Sequence, residues 1–102
     1  MYSHKKLMRL LRQAYPSLDV RLSRAKTLPA AHGLCFCTGK NKFLIRVDRS
    51  IRGQALIDVI LHEFAHCPES SWGEWLRTKE HGPLWGEHYA RCYKIWEDHF
   101  TT

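Results

Sequence analysis

The sequence predicts a small α+β domain: an N-terminal helix, about three antiparallel strands, a buried helix and a C-terminal helix. The chain has 102 residues, which suits one domain with one hydrophobic core, here residues 1–102. Its hydrophobic content of 44% is typical of a globular rather than a disordered chain. Apolar residues recur at helical spacing near both ends, and short alternating segments lie between them.

The first helix is predicted over residues 4–15, ending before Pro16. Its apolar positions follow the spacing i, i+3, i+4, i+7 and are Leu7, Leu10, Leu11 and Ala14. Residues 18–22, LDVRL, alternate apolar and polar side chains and are typical of a strand.

Two further strands, GLCFC and FLIRV, flank the turn-like sequence TGKN. Alternation in the second of them places Phe43, Ile45 and Val47 on one face. Together with residues 18–22, this hairpin predicts a small antiparallel sheet.

The segment GQALIDVILHEFAHC is apolar on nearly all sides, which is typical of a helix buried at the centre of a domain. It ends at Pro68 and is followed by a predicted loop over 68–80. A last helix is predicted over 83–99, with proline in its first turn. Its aromatic residues are expected in the core: Trp85, Tyr89 and Trp96.

The four cysteines form no CxxC pair, and we expect them to be reduced, small buried hydrophobes. Cys35 and Cys37 would share one face of a strand, a poor geometry for a disulfide between them. The sequence shows neither an apolar run long enough to span a bilayer nor a secretory signal pattern. We therefore expect a cytoplasmic protein without a membrane partner.

The net charge of +6 is unevenly distributed. Residues 1–26 carry seven Lys or Arg against Asp19 alone, and residues 40–52 carry five against Asp48 alone. Residues 53–102 carry four against eight carboxylates. A basic half can attract nucleic acid through its phosphates, although a solvated surface is the commoner explanation.

The sequence HEFAH at 62–66 places two histidines one helical turn apart, so both can reach one ion. Glu63 lies beside them and is suited to act on a metal-bound water. Polar side chains on a buried helix are costly unless they are paired or bound to a metal. The alternative is a pair of hydrogen-bonded core histidines.

A catalytic zinc needs a third protein ligand and one open position. The metzincin pattern requires Gly and His where this chain has Glu69 and Trp72, so that pattern is absent. Two candidates remain on the sequence alone, Glu87 in the last helix and His81 just before it.

The segment LIDVILHEFAHC followed by HGPLW resembles the SprT-like (Spartan-type) zinc metallopeptidases, whose pattern is HExxH, a variable loop and a third His in an HGxx-aromatic segment. The upstream sequence AHGLCFCTGKNKFLIRVDRS resembles the hairpin of that family, so the likeness covers about residues 4–98. Many members continue into a zinc ribbon, a module for which this sequence has no CxxC pairs.

The resemblance implies a zincin-like domain that hydrolyses peptide bonds of protein substrates, including DNA-associated ones. It implies Zn²⁺ ligands at His62, His66 and His81, and Glu63 as the general base. A second donor for the oxyanion would come from the last helix, where the candidates are Tyr89, His88 and Arg91.

Asp58 lies one turn before His62 and either orients that histidine or is an exposed helix residue. The hairpin 33–47 is the expected edge for an extended substrate. Two other functional classes remain on the sequence alone. One is a non-catalytic zinc-containing module that binds DNA or protein, and the other is a metal-free binding protein.

Overall fold

The computed structural model describes residues 4–26, 33–68 and 83–101. In chain order the elements are α1 (His4–Ala14), β1 (Asp19–Ala25), β2 (Gly33–Gly39), β3 (Lys42–Asp48), α2 (Gly53–Phe64) and α3 (Pro83–Thr101). The prediction of an α+β fold with these helices and three strands is confirmed. The predicted loop 68–80 lies, beyond Pro68, outside the described residues. No helix in the described ranges has both the length and the apolar character needed to cross a bilayer.

The sheet is mixed, so the prediction of an all-antiparallel sheet is wrong. Its strand order is β1-β3-β2, with β2 antiparallel to β3 and β1 parallel to β3. Alternation in residues 18–22 indicated a strand, but a side-chain pattern of period two does not depend on the direction of the neighbouring strand. The central strand is therefore β3, and β2 lies at one edge.

The β2–β3 hairpin forms as predicted, with Lys40 and Asn41 at its tip. Asn41 has a φ of 58°, a left-handed conformation that asparagine tolerates better than most residues. The Asn41 carbonyl accepts a hydrogen bond of 2.8 Å from the Asp19 amide at the start of β1. The hairpin turn is thereby tied to the first strand.

One face of the sheet is covered by α1 and α2, and α3 packs against both of these helices. As predicted, Phe43, Ile45 and Val47 point to the covered face, where each is almost fully buried. From α2 the core receives five side chains: Leu56, Ile57, Ile60, Leu61 and Phe64. Burying large aliphatic and aromatic side chains contributes roughly 1.5–3 kcal/mol each, so α2 is held firmly on the sheet.

The edge strand β2 approaches α2 closely at Gly33. A Cβ atom at Gly33 would lie 2.6 Å from Cγ1 of Val59 and 3.5 Å from Cγ of Glu63. Glycine is therefore needed here for close approach between strand and helix, and the start of β2 lies directly beside Glu63.

We expect Gly33→Ala to destabilise the protein by about 1–3 kcal/mol, because the added methyl group overpacks against a stiff β-branched side chain. The measurement is urea unfolding of the wild type, Gly33→Ala, Val59→Ala and the double variant. Removing the Val59 methyl groups should relieve the overlap, so Gly33→Ala should cost less in the Val59→Ala background. Equal costs in both backgrounds would contradict the proposed contact.

Candidate metal and catalytic site

The HEFAH segment lies where α2 ends. The helix stops at Phe64 rather than continuing to Cys67 as predicted, and His66 lies in the turn that follows. The His66 amide donates to the Glu63 carbonyl at 3.2 Å, and the Cys67 amide donates to the Phe64 carbonyl at 3.0 Å. These i to i−3 bonds form a tightened last turn, which keeps His66 near His62.

His62, Glu63 and His66 converge at this point. Each can offer one ligand atom, and these atoms lie within 4.8 Å of one another. The two imidazole rings have centroids 5.5 Å apart and planes at 72°. Both His62 and Glu63 are half-buried, whereas His66 is only 7% exposed. The structure therefore brings together three of the predicted site residues in an arrangement that could hold a metal ion.

His81, the predicted third ligand, lies outside the described residues. The competing candidate Glu87 is an exposed residue of α3. Within the described ranges, the group that could hold a metal consists of His62, Glu63 and His66 alone.

Burial raises the pKa of Glu63 from 4.5 to about 7. The carboxylate form is disfavoured because the surrounding protein replaces the water that would solvate its charge. A carboxyl group with this pKa can accept and release a proton near neutral pH, as a general acid–base group must.

Trp85 of α3 closes one side of the histidine pair. Its ring centroid lies 5.1 Å from that of His62 and 5.7 Å from that of His66, and its indole Nε1 donates to the His62 carbonyl at 3.2 Å. The expectation that this tryptophan belongs to the core is wrong, because it is a half-buried wall of the site. Helical spacing alone could not distinguish it from Trp96, which is buried as predicted.

Tyr89 stacks on Trp85 with a centroid separation of 4.9 Å and planes 12° apart. Its ring centroid is 6.5 Å from that of His62. Burial, followed by the charges of Asp58 and Tyr93, raises the pKa of its hydroxyl. Tyr89 is therefore a neutral phenol beside the histidine pair, able to donate a hydrogen bond.

The other two candidate donors contact Tyr15 instead. His88 Nδ1 is 3.0 Å from the Tyr15 hydroxyl, and the Arg91 guanidinium carbon lies 4.7 Å from the centroid of the Tyr15 ring. Of the three α3 candidates, Tyr89 is the one with a ring contact to the HEFAH segment.

Asp58 is exposed, and its Oδ1 accepts a hydrogen bond of 2.9 Å from Gln54 Nε2 on the same helix.

No protein-family model and no curated protein sequence matches this chain.

We expect Glu63→Gln to stabilise the metal-free protein, increasingly so as the pH rises. A carboxyl group with a folded pKa near 7 and an unfolded pKa near 4.5 binds more protons in the folded state between these values. Its contribution to stability is thus complete below pH 4.5 and is lost as the pH rises through 7. The difference between variant and wild type should be near zero at pH 4.5 and reach at most about 3 kcal/mol at pH 8.

The measurement is urea unfolding after chelation of metal, over pH 4.5 to 8. Glu97→Gln, at an exposed position of α3, is the control and should show no comparable rise. A difference between Glu63→Gln and wild type that does not depend on pH would contradict the burial of Glu63 as a neutral acid.

Proposed function

We propose that this chain is a zinc-dependent endopeptidase of the SprT-like, zincin-like type. The observation that carries the proposal is the convergence of His62, Glu63 and His66 at the end of a buried helix. Two imidazoles and a carboxyl group whose ligand atoms lie within 4.8 Å of one another are the kind of donor set that binds a divalent cation.

The donor set fits zinc. Two neutral imidazoles from consecutive turns are ligands that Zn²⁺ prefers, and three protein ligands with one open position are typical of a catalytic site. In the proposal, His62, His66 and His81 hold the metal. When bound, zinc would polarise a peptide carbonyl and lower the pKa of water to about 7.

Glu63 is the proposed general base. Its carboxylate takes a proton from the attacking water and passes it to the leaving amide nitrogen. Tyr89 is the proposed second donor to the oxyanion. Its ring centroid lies 6.5 Å from that of His62, and its hydroxyl group would donate a hydrogen bond to the developing negative charge.

The edge strand β2 is the proposed substrate-binding element. Its outer backbone edge is not paired with a described strand, and a Cβ atom at its first residue, Gly33, would lie 3.5 Å from Cγ of Glu63, so the strand begins near this side chain. An extended peptide adding to this edge would pass near the proposed base while its backbone groups bind those of β2. Recognition through the backbone favours disordered or locally unfolded protein substrates over one defined sequence.

The function is tested by Glu63→Gln. We expect cleavage of a disordered protein such as casein to fall about 10²–10⁴-fold, because the general base is removed while size and hydrogen bonding are kept. Zinc per chain should stay unchanged. The paired measurements are metal content and cleavage rate, with and without DNA.

Two variants distinguish the roles of the other residues. His81→Ala should lose most of the zinc, whereas Glu87→Ala should keep it. Loss of zinc from Glu63→Gln would make Glu63 a ligand rather than a base. Zinc bound by the wild type without any cleavage would favour the alternative, a non-catalytic zinc-containing module that binds DNA or protein.

A second candidate function is weak binding of single-stranded nucleic acid on the outer face of the sheet, the face opposite the helices. Phe36 is 39% exposed there, and the guanidinium carbon of Arg46 lies 5.7 Å from its ring centroid. The Arg46 Nε is buried without a hydrogen-bond partner in the described part of the chain. An exposed aromatic ring for stacking beside cationic groups is the combination that binds single strands.

We expect Phe36→Ala to weaken binding of labelled oligothymidylate about 5- to 150-fold, equivalent to the 1–3 kcal/mol of one base stack. Tyr93→Ala is the matched control, since Tyr93 is an aromatic residue of α3 with the same 39% exposure. Binding is measured by fluorescence anisotropy and should weaken steeply with salt. If both variants weakened oligonucleotide binding equally, or if the affinity did not depend on salt concentration, the proposed nucleic-acid binding would be contradicted.

A further inference from the structure

Two cysteines that are 32 positions apart in sequence meet beside the metal site. The Sγ atoms of Cys35 and Cys67 lie 3.7 Å apart. Cys35 is paired with Ile45 in the sheet, so it points to the helix-covered face. Cys67 is fully buried in the turn after α2. A disulfide requires a separation of about 2.05 Å, so the two sulfurs need to approach by roughly 1.7 Å.

The other two cysteines are engaged elsewhere. The Cys37 thiol donates to the Gly39 carbonyl at 3.3 Å, within the same hairpin. Cys92 is buried on α3. Cys35 is half-buried, so it is the more accessible member of the close pair.

We propose that Cys35 and Cys67 form a reversible disulfide with a small-molecule disulfide oxidant such as oxidised glutathione. The Cys35 thiolate attacks the oxidant, forms a mixed disulfide and releases one reduced glutathione. Cys67 then loses its proton and attacks the Cys35 sulfur, and the second glutathione leaves in its reduced form. Two protein thiols are oxidised to one disulfide, and one oxidised glutathione takes up the two electrons.

The disulfide would join the edge strand β2 to the segment that carries the proposed metal ligands His62 and His66. Cys67 directly follows His66, and its thiol lies 3.9 Å from the Glu63 carbonyl oxygen. Cys35 is two residues from Gly33, at which an added Cβ atom would lie 3.5 Å from Cγ of Glu63. Oxidation therefore fixes β2 against the end of α2 and closes a loop that contains all of β3 and α2. A loop of this length restricts the unfolded chain strongly, so the folded state gains stability.

The test treats the full chain with oxidised glutathione, with and without added zinc. Peptide mapping without reductant should find Cys35 linked to Cys67, and dithiothreitol should reverse the link. The thermal midpoint should rise on the order of 10 °C on oxidation. Cys35→Ser should lose both effects, whereas Cys37→Ser, on the same face of the same strand, should keep both.

We substitute serine at Cys35 rather than at Cys67 because a polar side chain at the fully buried Cys67 would itself destabilise the fold. A link to Cys37 or Cys92, a glutathione adduct that never resolves, or an unchanged midpoint in the linked protein would each overturn the proposal. The peptide map and the thermal midpoint are measured without a substrate, so their outcome does not depend on the proposed peptidase activity.

Discussion

The placement of three polar side chains at the end of an apolar helix, two half-buried and one buried, is the constraint on which this structure depends. Aliphatic and aromatic side chains hold most of α2 in the core. Its last turn carries His62 and Glu63, and the turn that follows carries His66, into partly or fully buried positions. Isolated polar or charged groups in such a place cost several kcal/mol. Burial favours the neutral form of Glu63, and the proposed zinc would be held by the two imidazoles beside it.

The elements around α2 fix these groups rather than merely covering them. The central strand β3 supplies the apolar floor on which α2 packs. On one side, Gly33 allows the edge strand to approach α2 closely at Val59, near Glu63. On the other, the Trp85 indole donates to the His62 carbonyl and carries Tyr89 stacked on its face. A site held by a strand, a helix and an aromatic stack is preorganised, which general acid–base chemistry and metal binding both require.

Local patterns in the sequence predicted the parts of the fold that depend on local geometry. Alternation in β3 identified its buried face, and the i, i+4 histidines identified two members of the group that could hold a metal ion. The same patterns could not show that β1 runs parallel to β3, because direction is set by how distant segments pack. They could not separate Trp85 from Trp96, since both share one helical stripe. The Cys35–Cys67 contact joins a strand to a turn across the core, and no spacing rule connects them.

Metal binding and the protonation of Glu63 are coupled in the proposed mechanism. Without a cation, burial favours the neutral acid, whose pKa is raised to about 7. A cation held by the neighbouring imidazoles favours the carboxylate, because opposite charges a few ångströms apart attract strongly where water is scarce. Loading the site would therefore release a proton and convert Glu63 into the base that peptide hydrolysis needs. The same desolvation that raises the pKa of Glu63 is thus what would link metal binding to activation of the proposed catalytic residue.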